Sequence, residues 1–208
     1  GIADADELKS MRARGEEAVA KEMSSMAAAG AKDAMGWSDK DWLQYVQSRP
    51  AEERPLPAGM PCALLDRGHA SMRLDDFVKH PLAVAAGLQR AHVLALRLYS
   101  SSVYATINTH LRDGCSEEHR HPYPACVSLL CEAIQLLRKA QAQQLTTGQS
   151  GGDIGGDGGG GDDGGRVLWH GVSGMTISAE FLVRGGTSMG VLSATPDRSV
   201  AERYASRA

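Results

Sequence analysis

Between Gly148 and Gly165 the chain reads GQSGGDIGGDGGGGDDGG, and no other stretch restricts its folding so sharply. Glycine loses the most backbone entropy on ordering, and Ile154 is the only apolar side chain present, so this tract cannot build a core. It reads as a flexible linker. A calcium-binding Gly-Gly-x-Gly-x-Asp repeat would need regular nonapeptide copies with an apolar position in each, and the tract offers no such register. The expected organisation is therefore a tail over 1–36, helical or disordered, a helical subdomain over 37–147, the Gly/Asp-rich linker over 148–165, and a C-terminal piece over 166–208.

Ala3 to about Met35 is rich in Ala, Glu, Lys and Met, all good helix formers, but carries no clean apolar stripe. A frayed helix or solvated tail is expected there, with an interaction helix as the alternative. Ser38 can cap a second helix whose apolar side is Trp42, Leu43, Tyr45 and Val46 and which Pro50 ends. Pro50, Pro55, Pro57 and Pro61 keep the stretch from Arg49 to Pro61 extended. Asp75 and Asp76 before Phe77 mark a short helix. Pro81 opens a longer one, with Val84, Leu88, Ala91, Ala95 and Leu98 on one buried face. Val103, Ile107 and Leu111 repeat the spacing, and Val127, Leu130, Ile134 and Leu137 define a further helix with Arg138 and Lys139 near its end. These faces pack as a small bundle.

After the linker the pattern changes. Val167, Leu168 and Trp169 form a short apolar run, as a buried strand would, and His170-Gly171 closes it. Gly190, Val191 and Leu192 begin a second run that ends in Ser193-Ala194-Thr195. Thr195 is a plausible N-cap, Pro196 suits a first helical position, and Asp197 places negative charge at the positive end of the dipole. Val200, Ala201, Tyr204 and Ala205 then share a helix side. Two strand ends deliver two polar clusters, which is the plan of a cleft.

At LWHGVSGM from Leu168 to Met175, at Phe181 with Gly185-Gly186, and at VLSATPDRSVAERYA from Val191 to Ala205, the chain resembles the mono-ADP-ribosyltransferases of the arginine-modifying, Arg-Ser-Glu class. DDFVKHP at Asp75 to Pro81, ALRLYSSSVYATINTHLRDG at Ala95 to Gly114 and HPYPACV at His121 to Val127 resemble the helices that precede the catalytic sheet in that family. The resemblance covers roughly residues 64 to 208 apart from the glycine tract. It implies an α+β fold, a helical subdomain followed by the first strands of a split β-sandwich that holds NAD. It implies transfer of ADP-ribose from NAD to a protein arginine, with release of nicotinamide. Ser193 takes the catalytic serine role, and His170, Gly171, Ser193 and Thr195 line the NAD groove. Where the family places arginine before Gly171 this chain has His170, and the family's glutamate is expected beyond Ala208. The chain is accordingly expected to be a fragment with little transferase activity alone. The alternatives are a catalytically silent NAD-cleft relative and a helical interaction module.

A net charge of −3 and the lack of a basic stripe argue against nucleic acid and anionic membrane as partners, and the resemblance implies NAD and a protein arginine substrate. No apolar run approaches a transmembrane helix, and the acidic GIADADELK start has no signal-peptide core. The cysteine count does not demand disulfides, which points to an intracellular, cytoplasmic setting. Cys115, His119, His121, Cys126 and Cys131 include zinc-type ligands, but no Cys-x-x-Cys pair exists, and the helix cysteines read more simply as buried apolar residues. No metal is expected. His80, His92 and His110 read as packing or surface residues, and no nucleophile elbow is present.

Overall fold

The computed structural model describes residues 15–30, 32–33, 36–47, 72–114, 120–146, 167–171, 179–185 and 190–206. The proline-rich stretch, the glycine tract, Cys115 and His119 lie outside them. The chain divides into two compact units, Gly1–Ser150 and Gly151–Ala208.

In the first unit the helices are α1 Glu16–Ala28, α2 Asp39–Gln47, α3 Leu74–Val78, α4 Pro81–Ala85, α5 Arg90–Tyr99, α6 Val103–Asp113 and α7 Pro124–Thr146. On α5, Ala91, His92, Val93, Leu94, Ala95 and Leu98 are all buried. A helix apolar around most of its circumference belongs inside, and α1, α2, α3, α6 and α7 all pack on it. Ser38 caps α2 as its position predicts. Its Oγ accepts the Asp41 amide at 3.3 Å while the Asp41 carboxylate accepts the Ser38 amide at 3.0 Å, a reciprocal capping pair.

The single helix expected from Pro81 through Leu98 is two. Gly87, at φ +65°, ends α4 in a left-handed turn, and the chain re-enters α5 where the His92 ring accepts the Gln89 amide at 3.0 Å. Val84, expected on the buried face, is consequently 65% exposed. α7 runs on to Thr146, so Arg138 and Lys139 are mid-helix, and its buried stripe is Cys126, Leu129, Leu130 and Ala133. Nor is α1 a solvated helix: Val19 and Met23 are completely buried.

Two polar groups, the half-buried Glu22 and the buried His121, tie these helices together. The Glu22 carboxylate of α1 accepts the amides of Ala125 and Cys126, at 2.7 and 3.1 Å, and so satisfies orphan donors in the first turn of α7. Just before α7, His121 Nδ1 accepts the Tyr123 amide at 2.9 Å, which leaves Nε2–H to donate to the Ile107 carbonyl of α6 at 3.1 Å. The Tyr123 hydroxyl donates to Asp39 on α2.

The second unit contains α8 Ala179–Arg184 and α9 Arg198–Ala205. Here the α+β expectation, a helical subdomain leading into split-sandwich strands, is overturned. Among the described residues there is no strand or sheet, only one isolated antiparallel bridge between Trp169 and Thr195. The apolar run meant for a sheet interior is exposed, with Val167 at 66%, Leu168 at 60% and Leu192 at 54%. Two segments meeting at one rung bury too little to stand as a sheet. No helix among the described residues is long and apolar enough to cross a membrane.

The tying groups make stability depend on pH in opposite senses. Burial raises the Glu22 carboxyl from 4.5 to about 7, outweighing the two amide bonds that lower it. A carboxyl raised on folding binds more protons in the native state, so its contribution is complete below its unfolded value and is lost as pH rises through the folded one. Glu22→Gln keeps an acceptor for the α7 amides without ionising. Its melting temperature, relative to the unaltered chain, rises by roughly 3–6 °C between about pH 5 and about pH 8.

Burial also holds the His121 ring below its ordinary range, with the Ile107 bond opposing and nearby His110 adding to the effect. A proton on Nδ1 would expel the Tyr123 amide. This contribution is therefore present above the ordinary histidine range and is lost as pH falls through it toward the folded value. The urea midpoint is expected to fall from about pH 6.5 toward pH 5, with a shallower slope in His121→Asn.

Candidate functional site

The bridge that joins the two polar clusters is a fully hydrogen-bonded pair. The Trp169 amide donates to the Thr195 carbonyl at 2.8 Å, and the Thr195 amide donates to the Trp169 carbonyl at 2.9 Å. In an antiparallel ladder the next such rung would join Gly171 to Ser193. Instead the His170 ring reaches the Ser193 carbonyl, Nδ1 to oxygen 2.5 Å. A carbonyl can only accept, so Nδ1 carries the proton and donates, and in the neutral ring Nε2 is left with a lone pair. Beyond this rung the two segments are joined by a side chain rather than by a further backbone pair.

Beyond the bridge, Thr195 Oγ1 accepts the Asp197 amide at 3.1 Å, which turns the chain toward α9. The cap itself is Asp197, two residues later than Thr195, its Oδ1 accepting the Ser199 amide at 2.8 Å. Bonds from the Ser199 side chain and amide hold this carboxyl below the usual carboxylate range. Asp197 wins over Thr195 because a carboxylate accepts more strongly and also complements the helix dipole. The first residue of α9, Arg198, places its guanidinium carbon 5.2 Å from the centroid of the Trp169 ring, and its Nε pairs with Glu202 at 2.7 Å. On α8, Glu180 pairs with Arg184 at 3.1 Å.

Of the residues expected to form the site, His170 and Ser193 are thus in direct contact. Thr195 sits half-buried on the rung, and Gly171 is half-buried beside His170. Ser193 is exposed, and the bond to His170 uses its carbonyl rather than its hydroxyl. Trp169 and Arg198 join the same group without having been assigned a role from the sequence; an aromatic at a strand end and an arginine opening the following helix were the available signals. Of the zinc-type residues, Cys115 and His119 lie outside the described residues. His121 has both ring nitrogens engaged, Cys126 is completely buried with its thiol pushed up by burial, and no group of three or more potential ligands occurs among the described residues.

A family model described as NAD:arginine ADP-ribosyltransferase matches residues 61–178. That span takes in α3 to α7 together with His170 and Gly171, and stops short of Ser193 and Thr195. No curated protein and no solved structure matches the chain.

Replacing His170 with Ala returns the Ser193 carbonyl to solvent and removes the contact bracing the rung. Amide hydrogen exchange at Trp169 and Thr195 is expected to accelerate about fivefold, the worth of one ordinary hydrogen bond. Unchanged exchange would mean that the ring contact does not stabilise the bridge.

Proposed function

The chain belongs to the NAD:arginine ADP-ribosyltransferase family, and from that membership we propose that it takes part in moving ADP-ribose from NAD to a protein arginine, with nicotinamide released. The observation that carries this reading is the family match together with the contact between His170, inside the matched span, and Ser193, outside it. Arginine as acceptor, Ser193 as the catalytic serine, and His170, Gly171 and Thr195 as the rest of the NAD groove are parts of the proposal, as is a cytoplasmic setting.

The reaction breaks the bond between the nicotinamide nitrogen and the ribose carbon and forms one from that carbon to a guanidinium nitrogen. Positive charge develops on the ribose as the bond lengthens, so the protein must hold the dinucleotide bent and place polar groups around the sugar before reaction. Ser193 offers a hydroxyl that both donates and accepts, suited to a ribose hydroxyl. His170, with Nδ1–H committed to the Ser193 carbonyl, offers Nε2 as an acceptor for a second sugar hydroxyl. Each fits the sugar. A carboxylate is also required, to steady the developing charge and to take a proton from the attacking guanidinium. Glu180 and Glu202 are poor candidates, since they lie on α8 and α9 rather than on the later strand where the resemblance puts the family's glutamate. A silent NAD-binding relative is the second reading, favoured by His170 in place of the family's arginine.

Calorimetric titration of the chain with NAD tests the site. Ser193→Ala is expected to weaken binding about three- to tenfold, the loss of one or two hydrogen bonds, with the helical unit's melting unchanged. Label from NAD appearing on lysine or cysteine rather than arginine of a mixed peptide acceptor would remove the acceptor class, and failure of NAD to bind would remove the reading entirely.

A further inference from the structure

The charge of NAD lies on its pyrophosphate, and neither His170 nor Ser193 offers the forked set of donors that a guanidinium brings to it. The His170 ring commits its Nδ1–H to the Ser193 carbonyl. In the neutral form the remaining nitrogen presents a lone pair, which repels a phosphate oxygen rather than binding it. The hydroxyl of Ser193 carries no charge. The guanidinium to consider is next along the chain from this pair: the Arg198 guanidinium carbon is 5.2 Å from the centroid of the Trp169 ring, Trp169 precedes His170, and Trp169 is bridged to Thr195, two residues from Ser193.

Resting on the NAD reading above, we propose that Arg198 is the phosphate-binding residue of this site, and that His170 serves the sugar alone. The other described arginines of the unit are less well placed. Arg198 is the one whose guanidinium carbon is 5.2 Å from the Trp169 ring centroid, whereas Arg184 is on α8 and Arg203 lies a turn and more further along α9. The Arg198 guanidinium lies within cation–π range of the Trp169 ring, and the Trp169 backbone is itself held by two hydrogen bonds to Thr195. Both partners of the Arg198–Glu202 pair are largely exposed, at 67% and 61%. A pair so open to water contributes little, so the guanidinium can readily exchange one carboxylate oxygen for the oxygens of a pyrophosphate. Trp169, 39% exposed, then keeps its ring where the guanidinium can return to it.

The test compares three ligands on the whole chain by calorimetry: NAD, ADP-ribose and adenosine, of which only the first two carry the pyrophosphate. Arg198→Gln is expected to weaken NAD and ADP-ribose at least about tenfold, in line with loss of a charge-assisted contact, and to leave adenosine within about twofold. Arg198→Lys, which keeps charge but not the fork, should recover part of that loss, and the dependence of NAD binding on salt should become shallower in Arg198→Gln. Hydrogen exchange at Trp169 and Thr195 verifies that the bridge survives in each variant. If Arg198→Gln binds NAD as the unaltered chain does, or if adenosine weakens as much as NAD, Arg198 does not bind the phosphates although the NAD reading stands. If the unaltered chain binds neither NAD nor ADP-ribose, the NAD reading fails first and this inference with it.

Discussion

In the C-terminal unit one bond ties the two polar clusters beyond the Trp169–Thr195 rung, from the His170 ring to the carbonyl oxygen of Ser193. It has two consequences. The imidazole is fixed as its Nδ1–H tautomer, and the chain segments carrying His170 and Ser193 are held together next to the rung. A guanidinium placed at 170 would have several donors and could hold this carbonyl and still clamp an anion. An imidazole can do only one of these.

The helical unit meets a different problem with the same kind of contact. Its longest helix, α7, begins in the interior, where the first-turn amides have no water to turn to. Glu22 from α1 meets two of them, although burial makes its charge costly and raises its pKa to about 7. His121 beside that turn bonds α6 on one side and the Tyr123 amide on the other, which only the neutral ring can do. One group prefers acid and the other prefers base, so the unit carries a built-in compromise near neutrality rather than a monotonic pH response.

Much of the helical unit was legible because local rules agree there with burial. Ser38 caps α2 through its own side chain, and Val103 and Ile107 fall on the buried side of α6. The rest was decided by partners distant in sequence. Nothing near Glu22 announces that its target is the start of α7. The pattern across Pro81 to Leu98 fits one helix until Gly87 takes a positive φ, a choice glycine permits without demanding it. In the C-terminal unit the two polar clusters were legible as segments that meet, His170 touching Ser193 beside the Trp169–Thr195 bridge, though neither segment is a strand. The sheet was not, because short apolar runs of Val, Leu and Trp look alike whether they are paired or exposed. Arg198 was readable only as a helix-opening arginine until the Trp169 ring was found beneath it.

The two units also differ in what keeps them ordered. Around α5 the helical unit buries an extended apolar set, and packing of that kind is insensitive to any one polar contact. In the C-terminal unit Ala201 is the only buried apolar side chain among the described residues. Directional contacts must hold that unit: one rung, one ring-to-carbonyl bond, the Thr195 and Asp197 turns, and a guanidinium on an indole. Each is worth about 1 kcal/mol or less when exposed, so local opening of this unit costs far less than unfolding the bundle. A dinucleotide that engages His170, Ser193 and Arg198 together would bind only the closed arrangement and would shift it by mass action. Affinity and order in this unit are therefore one quantity: a change that loosens the rung must weaken the ligand even where it removes no contact to it.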